Sequence, residues 1–235
     1  MMGVWNHKPP GPRPMPRWDL SVLLRFLRSD LFEDLNDISF VLLTQKVLVL
    51  LLVASGRRLS EIANLSRVTS VHESRTFVAW LPEFRAKWCS GFSEFIPQSP
   101  SFLRMESTVE RHLRNCPVRA LEIFLRRRRS VVNPHNDDCF WTLKQAGLAA
   151  AFRSVVRASL VHAEVDRDVP IFPHQAKKFA VSYCWKYFED TLVERDLPAL
   201  TGNKVVRVLK GSYRGVVPDI SLPTVVPLGT IHPSS

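Results

Sequence analysis

Residues 42–65 read LLTQKVLVLLLVASGRRLSEIANL, and the way this stretch folds decides the rest of the chain. It opens as an apolar run, Val47 to Val53, bracketed by Lys46 and Ala54. The run breaks at Ser55-Gly56, presents Arg57 and Arg58, and resumes as a short amphipathic helix carrying Glu61. A buried helix that stops at a glycine and passes directly into another helix places arginine at a deep junction. Arginine is rarely buried without an anionic partner. Two partners are open to it here. Glu61 lies three residues after Arg58, on one helical face. A bound phosphate is the other, because guanidinium matches phosphate through two parallel hydrogen bonds. Taken alone, the stretch fits an ordinary structural ion pair better than a site.

Composition narrows the partner. The chain has 235 residues, 46% of them apolar, which is enough for one large domain with a real core. Its formal charge is +10, with arginine favoured over lysine. Such a balance suits a polyanion, and nucleic acid comes first. The longest apolar run falls far short of the roughly 20 residues that cross a bilayer, so no membrane span is expected. Residues 1–17 are proline-rich and basic without an apolar segment, which reads as a linker rather than a secretory signal. Cys89, Cys116, Cys139 and Cys184 are widely spaced and form no CxxC pair. No zinc site or disulfide framework is therefore expected.

Periodicity outlines a helical domain. Leu20, Leu23, Leu24, Phe26 and Leu27 recur at helical spacing behind Asp19, a natural N-cap. Asp34 to Asp37 offers caps for the next helix, which runs into Val41 to Ala54. After Leu65 the period changes. Residues 76–81 and 92–96 read as strands ended by Pro82 and Pro97, with EFRAKWCSG and its Lys87 between them. Cys116-Pro117-Val118 starts a helix whose inward face is Leu121, Phe124 and Leu125. Its end, Arg126 to Arg129, reads as a solvated helix terminus. Residues 130–140 read as a loop and 143–160 as a helix with Phe152, Val155 and Val156 inward. Pro170 and Pro173 flank a short apolar link. Helices are expected again over 174–188 and 203–212, and an extended Val/Pro tail from Arg214 onward. The fold class is mainly α with a small antiparallel β-sheet. The domain plan is a linker over 1–17, a helical domain over 18–213 and an extended tail over 214–235.

Four later features join Arg58. Lys87 sits in the turn between the two expected strands, where a lysine is usually inert but is also able to reach over a substrate. His174 and Lys177 are three apart, so imidazole and ammonium share a helical face, although a histidine there also suits a plain helix start. Lys204 stands at a helix start, against the local dipole, which hints at a nearby anion. Tyr213 closes a helix after Lys210-Gly211-Ser212, where its hydroxyl is able to face a ligand. Together these groups meet the needs of phosphodiester exchange. Cations stabilise the non-bridging oxygens as charge develops on them. A tyrosine attacks phosphorus covalently. A lysine supplies the leaving 5′ oxygen with a proton.

This order resembles the tyrosine recombinases and integrases. SGRRLSEIANL is similar to that family's first-arginine motif, TGLRISELLNL, and aligns Arg58 with the first catalytic arginine. The strand–turn–strand resembles the family's lysine hairpin, with Lys87 the best match and Arg85 the competing one. HQAKKFAVSY resembles HxxRHTFA, which aligns His174 with the histidine and Lys177 with the second arginine. Lys204 falls where the family usually has His or Trp, and Tyr213 falls on the nucleophile. More narrowly, WDLSVLLRFL, CPVRALEIFLRRR and VLKGSYRGVVPDISLPTVVPLGT resemble the integrases of DIRS-type retrotransposons, from about Trp18 to Thr230.

The resemblance implies a helical catalytic domain that cuts double-stranded DNA without metal, ATP or other cofactor. It forms a 3′-phosphotyrosine and works as a homotetramer on two duplexes in the nucleus. It assigns catalysis to Arg58, Lys87, His174, Lys177, Lys204 and Tyr213, with Glu61 in support. Arg57, Arg85, Lys178, Lys210 and Arg214 then belong to the DNA-binding surface. There is room for little more than a linker before Trp18, so the family's DNA-clamp domain is expected to be absent or to lie outside this chain. Three departures stand out: lysine at 177 lacks the planar fork of arginine, GNK replaces the usual LGH before the tyrosine, and the interval from Lys177 to Tyr213 is slightly longer than usual. The first leaves room for a DNA-binding relic without catalysis. A basic helical scaffold for RNA or acidic protein is the further alternative.

Overall fold

The computed structural model describes residues 18–72, 75–80, 102–106, 114–131, 140–165 and 168–180. Helix α1 spans Leu20–Phe26, and Asp19 caps it as its spacing predicts, its carboxylate accepting from the Ser21 N–H at 2.8 Å. A short 3-10 turn, Asp30–Phe32, follows. Helix α2, Phe40–Ser55, is the central element. Its cap is Ser39, whose hydroxyl accepts from the Leu42 N–H, rather than a residue of the Asp34–Asp37 stretch. Asp34 instead closes a turn of its own by accepting from the Asn36 N–H. The later start has a simple cause: serine at the residue just before the apolar run satisfies the first free N–H groups, and an aspartate farther upstream does not reach them.

Helix α2 is apolar on nearly all sides because it is enclosed on nearly all sides. Leu43, Leu48, Leu51 and Leu52 are completely buried. It packs against α4 (Pro117–Val131), α5 (Gln145–His162) and α3 (Leu59–Ala63). The β-branched valines in the run do not turn it into a strand. Capped at both ends, it keeps its backbone groups satisfied in an interior that offers them no strand to pair with. Helix α5 directs Phe152, Val155 and Val156 inward as its pattern predicts. In α4, Leu121 and Phe124 are buried and Leu125 is half-buried. A stacked and tilted aromatic group, Phe40–Phe124–Phe140–Trp141, joins α2 and α4 to the start of the α5 segment.

A three-stranded antiparallel sheet, ordered β1-β2-β3, follows α3. Its strands are β1 (Leu65–His72), β2 (Arg75–Trp80) and β3 (Phe102–Glu106). Strand β2 matches the strand expected over 76–81. Strands β1 and β3 carry no clear alternation and were not expected, and the strand expected over 92–96 lies outside the described residues. Register runs from Leu65 opposite Trp80 to His72 opposite Arg75, with an irregularity between Leu65 and Thr69. The domain is therefore mainly helical with one small sheet. Among the described residues no helix is long and apolar enough to cross a membrane.

The arginine run at the end of α4 is not a uniformly solvated terminus. Arg126 donates to the Asn36 side chain at 2.7 Å and Arg127 to the Leu35 carbonyl at 2.8 Å. Arg128 is only 3% exposed. A helix rotates about 100° per residue, so four consecutive arginines cannot share one wet face. Two of them tie α4 to the loop ahead of α2, and the third turns inward.

Candidate functional site

The site begins where α2 ends. Gly56 adopts φ 58°, ψ 18°, the left-handed conformation that glycine enters without a Cβ clash, and its N–H donates to the Leu52 carbonyl. The chain turns there, and the Ser55 hydroxyl accepts from the Arg57 N–H at 3.3 Å. Arg58 then forms the extended N-cap of α3. The carboxylate of Glu61, one turn into α3, accepts from the Arg58 backbone N–H at 2.6 Å through Oε2. Its Oε1 lies 4.0 Å from the Arg57 guanidinium. Glu61 thus does two things at once: it closes the helix start as the carboxylate half of a capping box, and it compensates charge at the arginine pair. Glu61 bonds the Arg58 backbone and forms an i,i+4 ion pair with Arg57. Arg57 and Glu61 are buried, and Arg58 is half-buried.

Two bonds hold α3 in place. Trp141 Nε1–H donates to the Ile62 carbonyl at 2.7 Å, and the Phe140 N–H donates to the Leu65 carbonyl at 2.9 Å. The α3–β1 junction is therefore fixed to the start of the α5 segment on either side of Asn64.

Lys177 comes to the same place from the far end of the described chain. It lies on the helix that starts at His174, of which residues 174–180 are described; we call it α6. Its side chain is 3% exposed. Burial lowers its pKa most, the Arg58 charge lowers it further, Glu61 partly opposes this, and Arg57 adds to it; the result is about 7 against an ordinary 10.5. Lys177 therefore lies within electrostatic reach of the Arg57–Arg58 corner and of Glu61. Lys178 is also buried, at 7% exposed.

Helix α6 is positioned by a residue pair that the pattern of the sequence does not reveal. Trp18 Nε1–H donates to the Gln175 side-chain oxygen at 2.8 Å. The same oxygen accepts from the Phe172 N–H at 2.8 Å, and Gln175 Nε2 donates to the Pro170 carbonyl at 3.3 Å. Trp18 also meets Phe179 edge-on, with centroids 4.8 Å apart. One buried amide thus ties the 170–175 turn to the first residue of the domain. Its only sequence signal is a tryptophan ahead of α1, and a tryptophan there reads as ordinary core.

His174 stands at the exposed start of α6, one turn before Lys177, with its ring stacked on Phe172 at 5.5 Å and 20°. Of the residues singled out by sequence, the structure brings together Arg57, Arg58, Glu61 and Lys177 and places Lys178 and His174 on the same short helix as Lys177. Lys87, Arg85, Lys204, Lys210, Tyr213 and Arg214 lie outside the described residues, as do the expected linker over 1–17 and tail over 214–235. Among the described residues no cluster of three or more His, Cys, Asp or Glu side chains is arranged to hold a metal ion.

A buried corner of guanidinium and ammonium groups has a definite chemical capacity. Guanidinium pairs with oxyanions through a planar fork and ammonium as a point charge, and burial weakens competition from water. Comparison with family models, with curated proteins and with solved structures finds no match for the chain.

Proposed function

We propose that the protein is a DNA breaking-and-rejoining enzyme of the tyrosine recombinase type, and that the Arg57–Arg58–Lys177 corner holds the scissile phosphate. One observation supports this reading: Lys177, from the HQAKK segment, is buried within reach of the charge of Arg58, from the SGRR segment, although the two are distant in sequence. Motif order alone does not require them to meet, and a shared phosphate gives them a reason to. In this reading Arg58 and Lys177 neutralise the non-bridging oxygens, helped by His174 and Lys204. The Tyr213 hydroxyl gives up its proton to solvent as its oxygen bonds to phosphorus and the bond to the 5′ oxygen breaks, and Lys87 donates a proton to that leaving oxygen. A 3′-phosphotyrosine and a free 5′ hydroxyl result. The further proposals, of double-stranded DNA as substrate, a tetrameric assembly and kinship with DIRS-type integrases, rest on the motif order and the basic charge.

A DNA substrate nicked near the cleavage point tests the reading, because the departing strand cannot religate and the covalent intermediate accumulates. The wild-type protein is expected to form a protein–DNA adduct, and Tyr213→Phe to form none. An adduct that persists in Tyr213→Phe would refute the nucleophile. Saturated binding with no adduct from the wild type would leave a DNA-binding relic, the reading that Lys177 in place of arginine favours.

A further inference from the structure

Phe172 is a large aromatic ring held half in water, 50% exposed, while its neighbour Ile171 is 4% exposed. A single exposed apolar residue is ordinarily unremarkable. This one is fixed in place. Its own N–H is bonded to Gln175, whose buried amide is also bonded to Trp18 and to the Pro170 carbonyl. Three hydrogen bonds therefore define the backbone that presents the ring. The ring is also paired: it stacks on His174 with an interplanar angle of 20° and a centroid distance of 5.5 Å. Offset stacking of this kind orients both rings and leaves flat π surface for a further layer.

The surroundings select the occupant. Lys177 and Lys178, both buried, follow His174 within one turn or so of the same helix, and the Arg58 charge reaches Lys177. A flat apolar face beside a cationic cluster complements a ligand that is flat and apolar on one part and anionic on the next, which describes a nucleotide within a strand. The area argues against a protein partner. A stable protein interface removes on the order of 800 Å² from each side, far more than a phenyl and an imidazole ring expose.

We propose that the Phe172–His174 pair is a stacking platform for an unpaired nucleobase adjoining the phosphate held at the Arg58–Lys177 corner. The proposal rests on the reading of that corner as a phosphate site and adds the recognition of a base displaced from the duplex. It makes Phe172 a positioning residue with a preference for distorted or nicked DNA over fully paired duplex. Stacking is tolerant of base identity, so no sequence preference is expected from Phe172.

The test uses the full chain and two DNA probes of equal length, one fully paired and one with a nick flanked by unpaired bases. The unpaired bases carry 2-aminopurine, whose fluorescence is quenched by stacking. The wild type is expected to quench the probe and to bind the gapped DNA more tightly than the paired one. Phe172→Ala and Phe172→Leu are expected to lose the quenching and to weaken gapped-DNA binding on the order of tenfold, with binding to paired duplex changed less than about twofold. Phe172→Trp is expected to restore both. Equal losses on both probes, or quenching that persists in Phe172→Ala, would overturn the platform. If Arg58→Ala abolishes duplex binding while Phe172→Ala changes nothing, the platform falls and the phosphate site stands. If the wild type binds neither DNA, both readings fall.

Discussion

Lys46 and Lys177 are both buried lysines, and the protein treats them in opposite ways. Lys46 is fully enclosed in α2, where its ammonium donates to the Phe32 carbonyl at 3.2 Å and to Glu33 at 2.7 Å. Glu33 also receives Arg119 of α4 through both guanidinium nitrogens, at 2.9 and 3.3 Å. Burial alone would raise the Glu33 pKa, but the hydrogen bonds and charges of Arg119 and Lys46 outweigh it and hold the carboxyl below its ordinary 4.5. Burial lowers the Lys46 pKa, and Glu33 restores part of the loss. Carboxylate and cations sit in direct contact, and the network ties the loop before α2 to both α2 and α4. Around Lys177 the charges that move its pKa most, after burial, include two arginines, with Glu61 as the opposing carboxylate. The first arrangement satisfies its charges internally. The second sets Lys177 within reach of two arginine charges and one carboxylate.

The comparison is sharpest if its two halves are broken separately. Glu33→Ala leaves Lys46 buried without its carboxylate and is expected to cost about 3–5 kcal/mol in urea unfolding, the largest stability loss of the set. DNA affinity measured on the folded protein should be unchanged. Acid acts on the same bond. The Glu33 pKa is depressed on folding, so its stabilisation is present above about pH 4.5 and fades as pH falls through the lower folded value.

Arg58→Ala should do the reverse. Adduct formation on the nicked substrate is expected to fall on the order of 100-fold or more, as when one oxyanion donor is removed, while unfolding free energy changes by less than about 1 kcal/mol. Lys177→Arg restores the planar fork and is expected to leave adduct formation intact or raise it. A large loss in that variant would mean that the HQAKK segment does not occupy the second-arginine place.

The pH dependence of stability discriminates more finely. Lys177 titrates near 7 when folded and near 10.5 when unfolded. Below about pH 7 both states are protonated, and the fold carries the full penalty of a buried charge. As pH rises from 7 towards 10.5 the folded state releases the proton first, so the penalty is relieved and stability climbs. The expected gain is about 2 kcal/mol from about pH 7.5 to about pH 9, and Lys177→Met should flatten it. DNA binding should run the other way, weakening over the same interval because a phosphate favours the protonated ammonium. A wild-type stability curve that matches that of Lys177→Met would remove the contrast between the two lysines.

The smallest effect is expected at the rim of the first network. Arg114 donates to Asp30 at 2.9 Å, but the two side chains are 52% and 92% exposed. Asp30→Ala should alter unfolding by no more than about 0.5 kcal/mol, an effect that salt abolishes. A loss comparable to that of Glu33→Ala would show that the network extends to the surface.

Residue pattern alone was sufficient where a local rule operates. The α2 run, its stop at Gly56, the Asp19 cap and the inward face of α5 follow from apolar spacing and capping chemistry, and both act within a turn or two of chain. The start of α2 was misplaced because several acidic caps compete upstream of Ser39. The arginine run of α4 was misread because charge counts do not say which way each side chain faces. Nothing local makes Gln175 bond to Trp18, presents Phe172, or sets Lys46 against Glu33, because each of these depends on residues distant in sequence or on a face chosen by packing.

For the candidate site, the amino-acid order determined which cations stand at helix starts and junctions, since glycine conformation, helical spacing and capping are encoded within a few residues. Only the tertiary structure decided that Lys177 is buried within reach of the Arg58 charge, and that Arg57 pairs with Glu61. The physical reason is range. Local rules are spent within a turn of helix, whereas the pKa of a buried amine is set by whatever charges the folded chain brings alongside it.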